Sequence, residues 1–400
     1  MRSIRDIFKI GRGPSSSHTM GPERACLLFR AEHPEAARFE AVLYGSLART
    51  GAGHGTDRVI RESFAPLECE IRLELNSDDL PHPNTMELIA REPDGAVCGR
   101  MRVFSVGGGD IQIEGRAAEP EALHVYPHTH FADIAAHCKA QNIRLSDYVE
   151  ACEGVEIWDF LRKVWAQMRA SIDDGLRRGG VLPGGLGVER KARLLYEQRP
   201  ARERPETRED RIVCAYAYAV SEQNADSGTV VTAPTCGSCG VLPAVLRYMQ
   251  KHERRSEDEV LRALAVAGLI GNLVKRNASI SGAECGCQAE IGTACSMAAA
   301  ALAELDGMEI DQIEYAAEVA LEHHLGLTCD PIGGLVQIPC IERNAVAAMR
   351  AINAVRISTF LTATRKISFD LVVETMYETG RDLNRIYRET AEGGLAKLYK

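Results

Sequence analysis

The stretch Ile157-Trp-Asp-Phe-Leu-Arg-Lys-Val-Trp-Ala-Gln-Met-Arg-Ala-Ser-Ile172 marks where the chain changes from mixed structure to helix. Its apolar residues recur three or four positions apart, the spacing that places side chains on one face of an α-helix. The pair Gly179 and Gly180 follows, and glycine commonly ends a helix. The sequence therefore predicts a long amphipathic helix at the start of a helical region.

Later segments repeat this helical pattern. Ser256 with Glu259 three positions on is a capping box, which predicts a helix over 260–273. A further helix is expected from Asp311 to near Gly326. Residues 189–211, rich in Arg and Glu with two prolines, are expected to form an exposed loop between helices.

The part before this helical region has a different pattern. Short runs of strand-like residues separated by loops occur at 39–44, 69–75, 101–106 and 111–114. Because 400 residues exceed what one core usually organises, we expect two domains. The expected division is an α+β domain over 1–118, a linker over 119–140 and an all-α domain over 141–400.

Composition excludes several classes of function. The net charge of −9 and the pI near 5.8 argue against general nucleic-acid binding. The N-terminus lacks a long apolar stretch with a small-residue cleavage site, and no run of about 18 apolar residues follows. We therefore expect a cytoplasmic protein without a membrane or nucleic-acid partner.

Three cysteines stand in glycine-punctuated strings: Cys287 in Ser-Gly-Ala-Glu-Cys-Gly-Cys-Gln, and Cys329 and Cys340 in Leu-Thr-Cys-Asp-Pro-Ile-Gly-Gly-Leu-Val-Gln-Ile-Pro-Cys. Three thiolates can hold three irons of a cubane and leave the fourth open to a substrate oxygen. In a reducing compartment we expect the 13 cysteines to remain without disulfides. The cysteines interpreted as small buried apolar residues are Cys26, Cys69, Cys98, Cys138, Cys152, Cys214 and Cys295.

A Cys-x-x-Cys pair, Cys236 and Cys239, has three open interpretations. It is a dithiol redox site, half of a zinc site completed by Cys285 and Cys287, or a pocket wall with incidental thiols. The zinc site would leave Cys329 and Cys340 without an assigned role.

Two loops place histidines among small residues. Residues 11–22 carry hydroxyls and an imidazole between glycines and prolines, a composition suited to binding an anion: Ser15, Ser16, Ser17, His18 and Thr19. His54 stands between Gly53 and Gly55, which leave room for a ligand to approach. Alternatively, the first loop merely joins two elements and His54 is an ordinary surface residue.

Taken together and in order, these strings closely resemble the iron–sulfur-dependent L-serine dehydratases, also called L-serine ammonia-lyases. The matching strings lie at 8–19, 53–57, 82–86, 105–109, 182–186, 231–235, 275–284 and 286–288, and around Cys329 and Cys340. The resemblance extends nearly end to end. It implies deamination of L-serine to pyruvate and ammonia in a single-chain form, within amino-acid degradation and gluconeogenesis.

The resemblance also implies a site. Cys287, Cys329 and Cys340 would bind a [4Fe–4S] cluster, between an allosteric-substrate-binding-like first domain and the helical domain. His54 would be the base that removes the α-proton, with His18 as the alternative. The side chains expected to bind the substrate are Ser15, Ser16, Ser17, Thr19 and Asn84. No pyridoxal phosphate is expected, and a homodimer is the expected assembly.

The chain departs from the family pattern in four respects. It has Cys236-Gly-Ser-Cys239 where relatives often have Asn-Gly-Ala-Ala, Cys285 where they have valine, and Ala52 where some have lysine. It also lacks the C-terminal cysteine that some relatives fold onto the fourth iron. Activity on L-threonine, L-cysteine or a hydroxy acid stays open, as does a zinc-stabilised amino-acid sensor without turnover.

Overall fold

Two packed bodies form the chain in the computed structural model, which describes residues 1–75, 80–116, 124–361 and 365–399. One is a small α/β body with a five-stranded sheet, and the other is mostly helical and holds the larger core. The expected order, α+β followed by all-α, is confirmed. The expected boundary at residue 118 lies outside the described residues.

The sheet of the first body is mixed. Its strand order is β3-β2-β4-β5-β6, with β2 parallel to β3 and every other neighbouring pair antiparallel. The strands of the described residues are β1 (Ile10–Arg12), β2 (Arg38–Tyr44), β3 (Cys69–Glu74), β4 (Thr85–Arg91), β5 (Val97–Gly107), β6 (Asp110–Ile113) and β7 (Thr229–Val231). Strand β4 was missed from the sequence, although Met86, Leu88 and Ala90 alternate into the core.

The α-helices of the first body are α1 (Gly21–Glu32), α2 (Gly45–Thr50) and α3 (Thr56–Phe64). Those of the helical body are α4 (Phe131–Gln141), α5 (Leu145–Glu153), α6 (Ile157–Arg177), α7 (Ala192–Glu197), α8 (Pro205–Ala225), α9 (Val241–His252), α10 (Glu257–Asn277), α11 (Gly282–Cys285), α12 (Thr293–Leu305), α13 (Ile310–Glu322), α14 (Cys340–Leu361), α15 (Phe369–Asp382) and α16 (Gly394–Leu398).

The capping signals in the sequence predicted helix positions well. Helix α6 covers the segment 157–172 and ends before the glycine pair. At α10 the Ser256 hydroxyl accepts from the Glu259 amide while the Glu259 carboxylate accepts from the Ser256 amide, so the capping box is formed. Helix α13 starts at Ile310, beside the expected Asp311.

Two segments expected to lack regular structure contain helices among their described residues. Within the expected linker 119–140, α4 buries Phe131, Ile134, Ala135 and Cys138 in the helical core, a spacing that appears only after the last proline of the segment. Within the expected loop 189–211, α7 and the start of α8 occur. Pro205 opens α8, where proline's missing amide hydrogen costs nothing.

The two bodies are not divided at one point of the chain. Met1, Ile4, Ile7 and Phe8 are buried in the helical core, and β1 pairs antiparallel with β7 of the helical body. The chain enters the α/β body only after this pairing. Ser15 and the short π-helix Ser16–Met20, a segment that the sequence predicted to be a loop, therefore lie where the two bodies meet.

Candidate active site between the two bodies

The three predicted cysteine ligands line one small cavity. All three are buried: Cys287 is 3% exposed, Cys329 is 4% exposed and Cys340 is 9% exposed. We call this space the cysteine cavity; its lining also includes Ser15, His54, Glu290 and Glu389. The three cysteines are 42 and 11 residues apart in the sequence, and tertiary folding brings them together. Cys287 follows α11, Cys329 forms an isolated parallel β-bridge with Arg388, and Cys340 begins α14.

Thiol donors are closely spaced in this cavity. The Sγ atoms of Cys287 and Cys329 and a carboxylate oxygen of Glu290 all lie within 4.8 Å of one another. Glu290 Oε1 already accepts a hydrogen bond from the Thr235 hydroxyl at 2.7 Å. Cys340 is not part of this 4.8 Å group but lines the same cavity, so among the described lining residues the cavity offers three thiols to a metal–sulfur site.

A buried arginine supplies positive charge beside these thiols. Arg343 stands three residues after Cys340, on the same face of α14. Its guanidinium is fixed by Thr328 O at 2.6 Å and Asp330 Oδ1 at 3.0 Å. The hydrogen bond from Cys329 and the charge of Arg343 lower the pKa of Cys287 to about 6. This favours the thiolate of Cys287, the form that binds metal. The same hydrogen bond raises the pKa of Cys329, and burial raises the pKa of Cys340.

Sequence reasoning missed Arg343. Its spacing of three residues from Cys340 in a helical segment was the available signal, but that spacing is informative only once Cys340 is known to begin the helix.

The other cysteines near the motifs do not join this site. The lining of the cysteine cavity includes Cys287, Cys329 and Cys340 but not Cys236, Cys239 or Cys285. Cys236 instead contacts the thioether of Met20 at 3.4 Å, and Cys285 lines a separate, open pocket. The four-thiol zinc site considered from the sequence is therefore not assembled.

Both candidate histidines are fully buried and stacked on each other. The ring centroids of His18 and His54 are 4.4 Å apart with 29° between planes. His54 Nδ1 lies 2.8 Å from Thr50 O. Burial lowers the pKa of His54 to about 4 and lowers the pKa of His18 well below its usual value. Both imidazoles are therefore neutral, the form in which an imidazole accepts a proton.

The hydroxyls of the first loop have different surroundings. Ser15 lines the cysteine cavity, and Ser17 Oγ lies 3.0 Å from His18 Nδ1. Ser16 is buried and its carbonyl accepts from the Gly21 amide. The Thr19 hydroxyl donates to His54 O at 2.8 Å, so it fixes the second histidine loop.

Asn84 is not among the residues that line the cysteine cavity. Its Nδ2 donates to Ser105 O at 3.3 Å, and its backbone amide donates to His82 Nδ1 at 3.0 Å. Asn84 directly precedes β4 and lies beside Ser105 of β5.

Sequence reasoning also missed Glu389. Its Oε1 lies 3.6 Å from His18 Nδ1 and 3.7 Å from His54 Nε2. The C-terminal segment is held beside the cysteines, because the Glu389 amide donates to Cys329 O at 2.9 Å and Cys329 N donates to Tyr387 O at 2.7 Å. No sequence signal separates this glutamate from the other acidic residues, which with it total 56.

Comparison with known proteins identifies the family. Residues 3–68 match the model of the serine dehydratase beta chain, and residues 94–396 match that of the serine dehydratase alpha chain. The chain belongs to the serine dehydratase family and carries regions of both chain types in one polypeptide.

Full-length relatives agree with this assignment. The L-serine dehydratase of Haemophilus influenzae is 41% identical over 449 residues, covering 99% of this chain and 99% of that protein. L-serine dehydratase 2 of Escherichia coli K12 is 41% identical, with coverage of 99% and 98%. The L-serine dehydratase of Streptomyces coelicolor is 41% identical, with coverage of 98% and 98%.

No helix among the described residues combines the length and apolar character needed to cross a membrane.

Proposed function

We propose that this protein is an L-serine ammonia-lyase that converts L-serine to pyruvate and ammonia. The observation that carries the proposal is the convergence of three buried cysteines from the helical body with a neutral histidine pair from the α/β body. The names of the full-length relatives support the same substrate.

The reaction removes the α-proton and the β-hydroxyl of serine. The resulting aminoacrylate tautomerises to an imine, and water hydrolyses this to pyruvate and ammonia. Loss of hydroxide is the difficult step because hydroxide is a poor leaving group.

The donor set fits a [4Fe–4S] cluster. Cys287, Cys329 and Cys340 would hold it, since all three are buried, line one cavity and lie near the Arg343 guanidinium. When bound, such a cluster with one iron free of cysteine supplies Lewis acidity for the departing hydroxyl. The negative charge of three thiolates is partly balanced by Arg343, which the surrounding thiols keep protonated by raising its pKa.

His54 is the proposed base. Its Nδ1 donates to Thr50 O, which leaves the lone pair on Nε2, the nitrogen facing Glu389. Because burial keeps this imidazole neutral, Nε2 can take the α-proton, a contribution typically worth about 10²–10⁴-fold in rate. His18 has hydroxyl neighbours at both ring nitrogens and is less free to do so.

Ser15 and Ser17 are proposed to bind the substrate carboxylate. Ser15 lines the cavity, and both hydroxyls lie beside His18. Neutral hydroxyl donors in a buried loop can stabilise an anion without a lysine or arginine in contact.

The test is purification without oxygen, followed by assays of pyruvate and ammonia formed from L-serine. We expect a brown protein whose activity decays in air and returns with ferrous iron and thiol. An exposed iron site is readily lost to oxidation, whereas zinc is colourless and redox-inert. Full activity in a metal-free, air-exposed preparation would overturn the cluster proposal.

A further inference from the structure

We propose that Glu389 binds the α-ammonium group of the substrate and thereby selects amino acids over acids that lack the amino group. The inference rests on the proposed function, which it deepens by assigning a substrate contact. It comes from the arrangement of hydrogen-bond donors and acceptors around His18, His54 and Glu389, whose ligand atoms lie within 4.8 Å of one another.

The proton on His18 can be placed from its neighbours. Its Nε2 lies 3.0 Å from Ser46 Oγ and 3.0 Å from Thr50 Oγ1. Each hydroxyl has one hydrogen, and both are already donated: Ser46 to Glu389 O at 2.7 Å and Thr50 to Ser46 O at 2.9 Å. Both hydroxyls therefore accept from His18 Nε2, so His18 Nδ1 carries a lone pair.

The same reasoning applies to His54. Its Nδ1 faces a carbonyl oxygen, Thr50 O, which can only accept. The hydrogen is therefore on Nδ1 and the lone pair is on Nε2. The two lone pairs, His18 Nδ1 and His54 Nε2, both face Glu389 Oε1, at 3.6 and 3.7 Å.

With Glu389 ionised, these three side chains present acceptors towards one another. Burial raises the pKa of Glu389 well above its usual range, and the neutral carboxyl has one hydrogen, which it can donate to only one of the two imidazoles. Before substrate binds, the one hydrogen of the Ser17 hydroxyl, 3.0 Å from His18 Nδ1, is available to one of these acceptors; a bound substrate carboxylate would compete for it. Glu389 Oε2 is buried and has no hydrogen-bond partner. Leaving a buried carboxylate oxygen unsatisfied is costly, so the arrangement favours a ligand that brings hydrogens and positive charge.

A primary ammonium group has these properties, because it carries three N–H donors and one positive charge. Glu389 and His54 both line the cysteine cavity, where the amino acid must lie for its hydroxyl to approach the cysteine side. An ammonium on Glu389 would place the adjacent Cα–H near His54 Nε2. One carboxylate would then set both the choice of substrate and its orientation towards the base.

The experiment compares one pair of inhibitors, alongside L-serine kinetics, on the holoenzyme. L-alanine and propanoate differ only in the amino group and neither can lose a hydroxyl, so their competitive inhibition constants measure recognition of that group. In Glu389→Gln we expect the KM for L-serine and the inhibition constant of L-alanine to rise about 10-fold or more, because a charge-assisted hydrogen bond is lost. The inhibition constant of propanoate should change less than about 2-fold.

The matched control is Glu392→Gln, the same substitution three residues along, at a partly exposed glutamate paired with Arg49. It should leave all of these constants unchanged. Glu389→Asp, which keeps the charge on a shorter side chain, should recover part of the preference for L-alanine. An unchanged visible spectrum in each variant shows that the site is intact.

Three results would overturn the inference. Equal increases for L-alanine and propanoate would indicate general damage to the pocket. A lower kcat with unchanged KM and inhibition constants would make Glu389 a positioning residue for His54. A stoichiometric divalent ion beyond the cluster iron, lost in Glu389→Gln, would make the three side chains a metal site, since two histidines and a carboxylate also bind metals.

Failure of the proposed function is a separate outcome. If the protein does not deaminate L-serine, L-alanine should still raise the unfolding temperature more than propanoate does, and Glu389→Gln should abolish that difference. If L-serine is deaminated but Glu389→Gln binds both analogues as the wild type does, the ammonium assignment alone is wrong.

Discussion

Two sides of the cysteine cavity differ in their electrostatics: the cysteine side, formed by Cys287, Cys329 and Cys340, and the histidine side, formed by His54 and the stacked His18. On the cysteine side, Arg343 and a neighbouring thiol lower the pKa of Cys287, which favours a charged ligand for metal. On the histidine side, burial lowers the pKa of both imidazoles and keeps them neutral. One side therefore has a thiol, Cys287, that favours the charged form, although the pKa values of Cys329 and Cys340 are raised, and the other side has an uncharged base. Disrupting each side should give a different signature.

The largest effect is expected on the cysteine side. Cys287→Ser, Cys329→Ser and Cys340→Ser should each abolish the broad visible absorbance and the lyase activity, because the serine hydroxyl is a poor replacement for a thiolate iron ligand. The control is Cys236→Ser, a buried cysteine that contacts Met20. It should retain the absorbance. A requirement for Cys236 and Cys239 but not for Cys329 would reverse the ligand assignment.

The next effect is expected on the histidine side. His54→Asn should lower kcat by about 10²-fold or more while the visible spectrum stays intact, since a base is lost but no iron ligand is touched. His18→Asn should act mainly on KM if His18 serves in binding. Steady-state kinetics with solvent exchange of the α-hydrogen measures both. Near wild-type exchange and turnover in His54→Asn would move the base to His18 or elsewhere.

A smaller effect is expected at Arg343, which contacts Thr328 and Asp330 while placing charge beside the thiols. Arg343→Gln should weaken iron retention about 10-fold, in line with other residues that support metal ligands. Iron content during timed dialysis against a chelator is the measurement. Arg350→Gln, on the same helix but bonded to His323 O, is the control and should retain iron as the wild type does.

The smallest effect concerns a buried histidine outside the cavity. Burial lowers the pKa of His324 to about 4, so between this value and the unfolded value near 6.5 the unfolded chain binds the extra proton. Stability from this group is complete above pH 6.5 and falls as the pH falls, by about 1.4 kcal/mol at pH 5.5. Denaturant unfolding of wild type and His324→Gln at pH 7.5 and 5.5 measures this, and an equal loss in both proteins would contradict it.

Several parts of the fold could be predicted because their signals are local. The capping box at Ser256 and the apolar face of α6 are complete within one segment, and the structure has both. Strand β4 and helix α4 were missed for a related reason. Their apolar residues follow the correct period only over a few positions, and burial against the rest of the chain decides between helix, strand and linker.

The sequence alone determined the residue types that carry the proposed chemistry: the three cysteines, the serine-rich loop and the histidine between two glycines. These motifs are distinctive because the spacing of their glycines and prolines can be read directly from the linear sequence. Only the tertiary structure brought Glu389 from the C-terminal segment to the histidine pair and Arg343 to the thiols. The physical reason is that the effect of a charged side chain depends on its distance and burial in the fold, and sequence position does not contain these quantities.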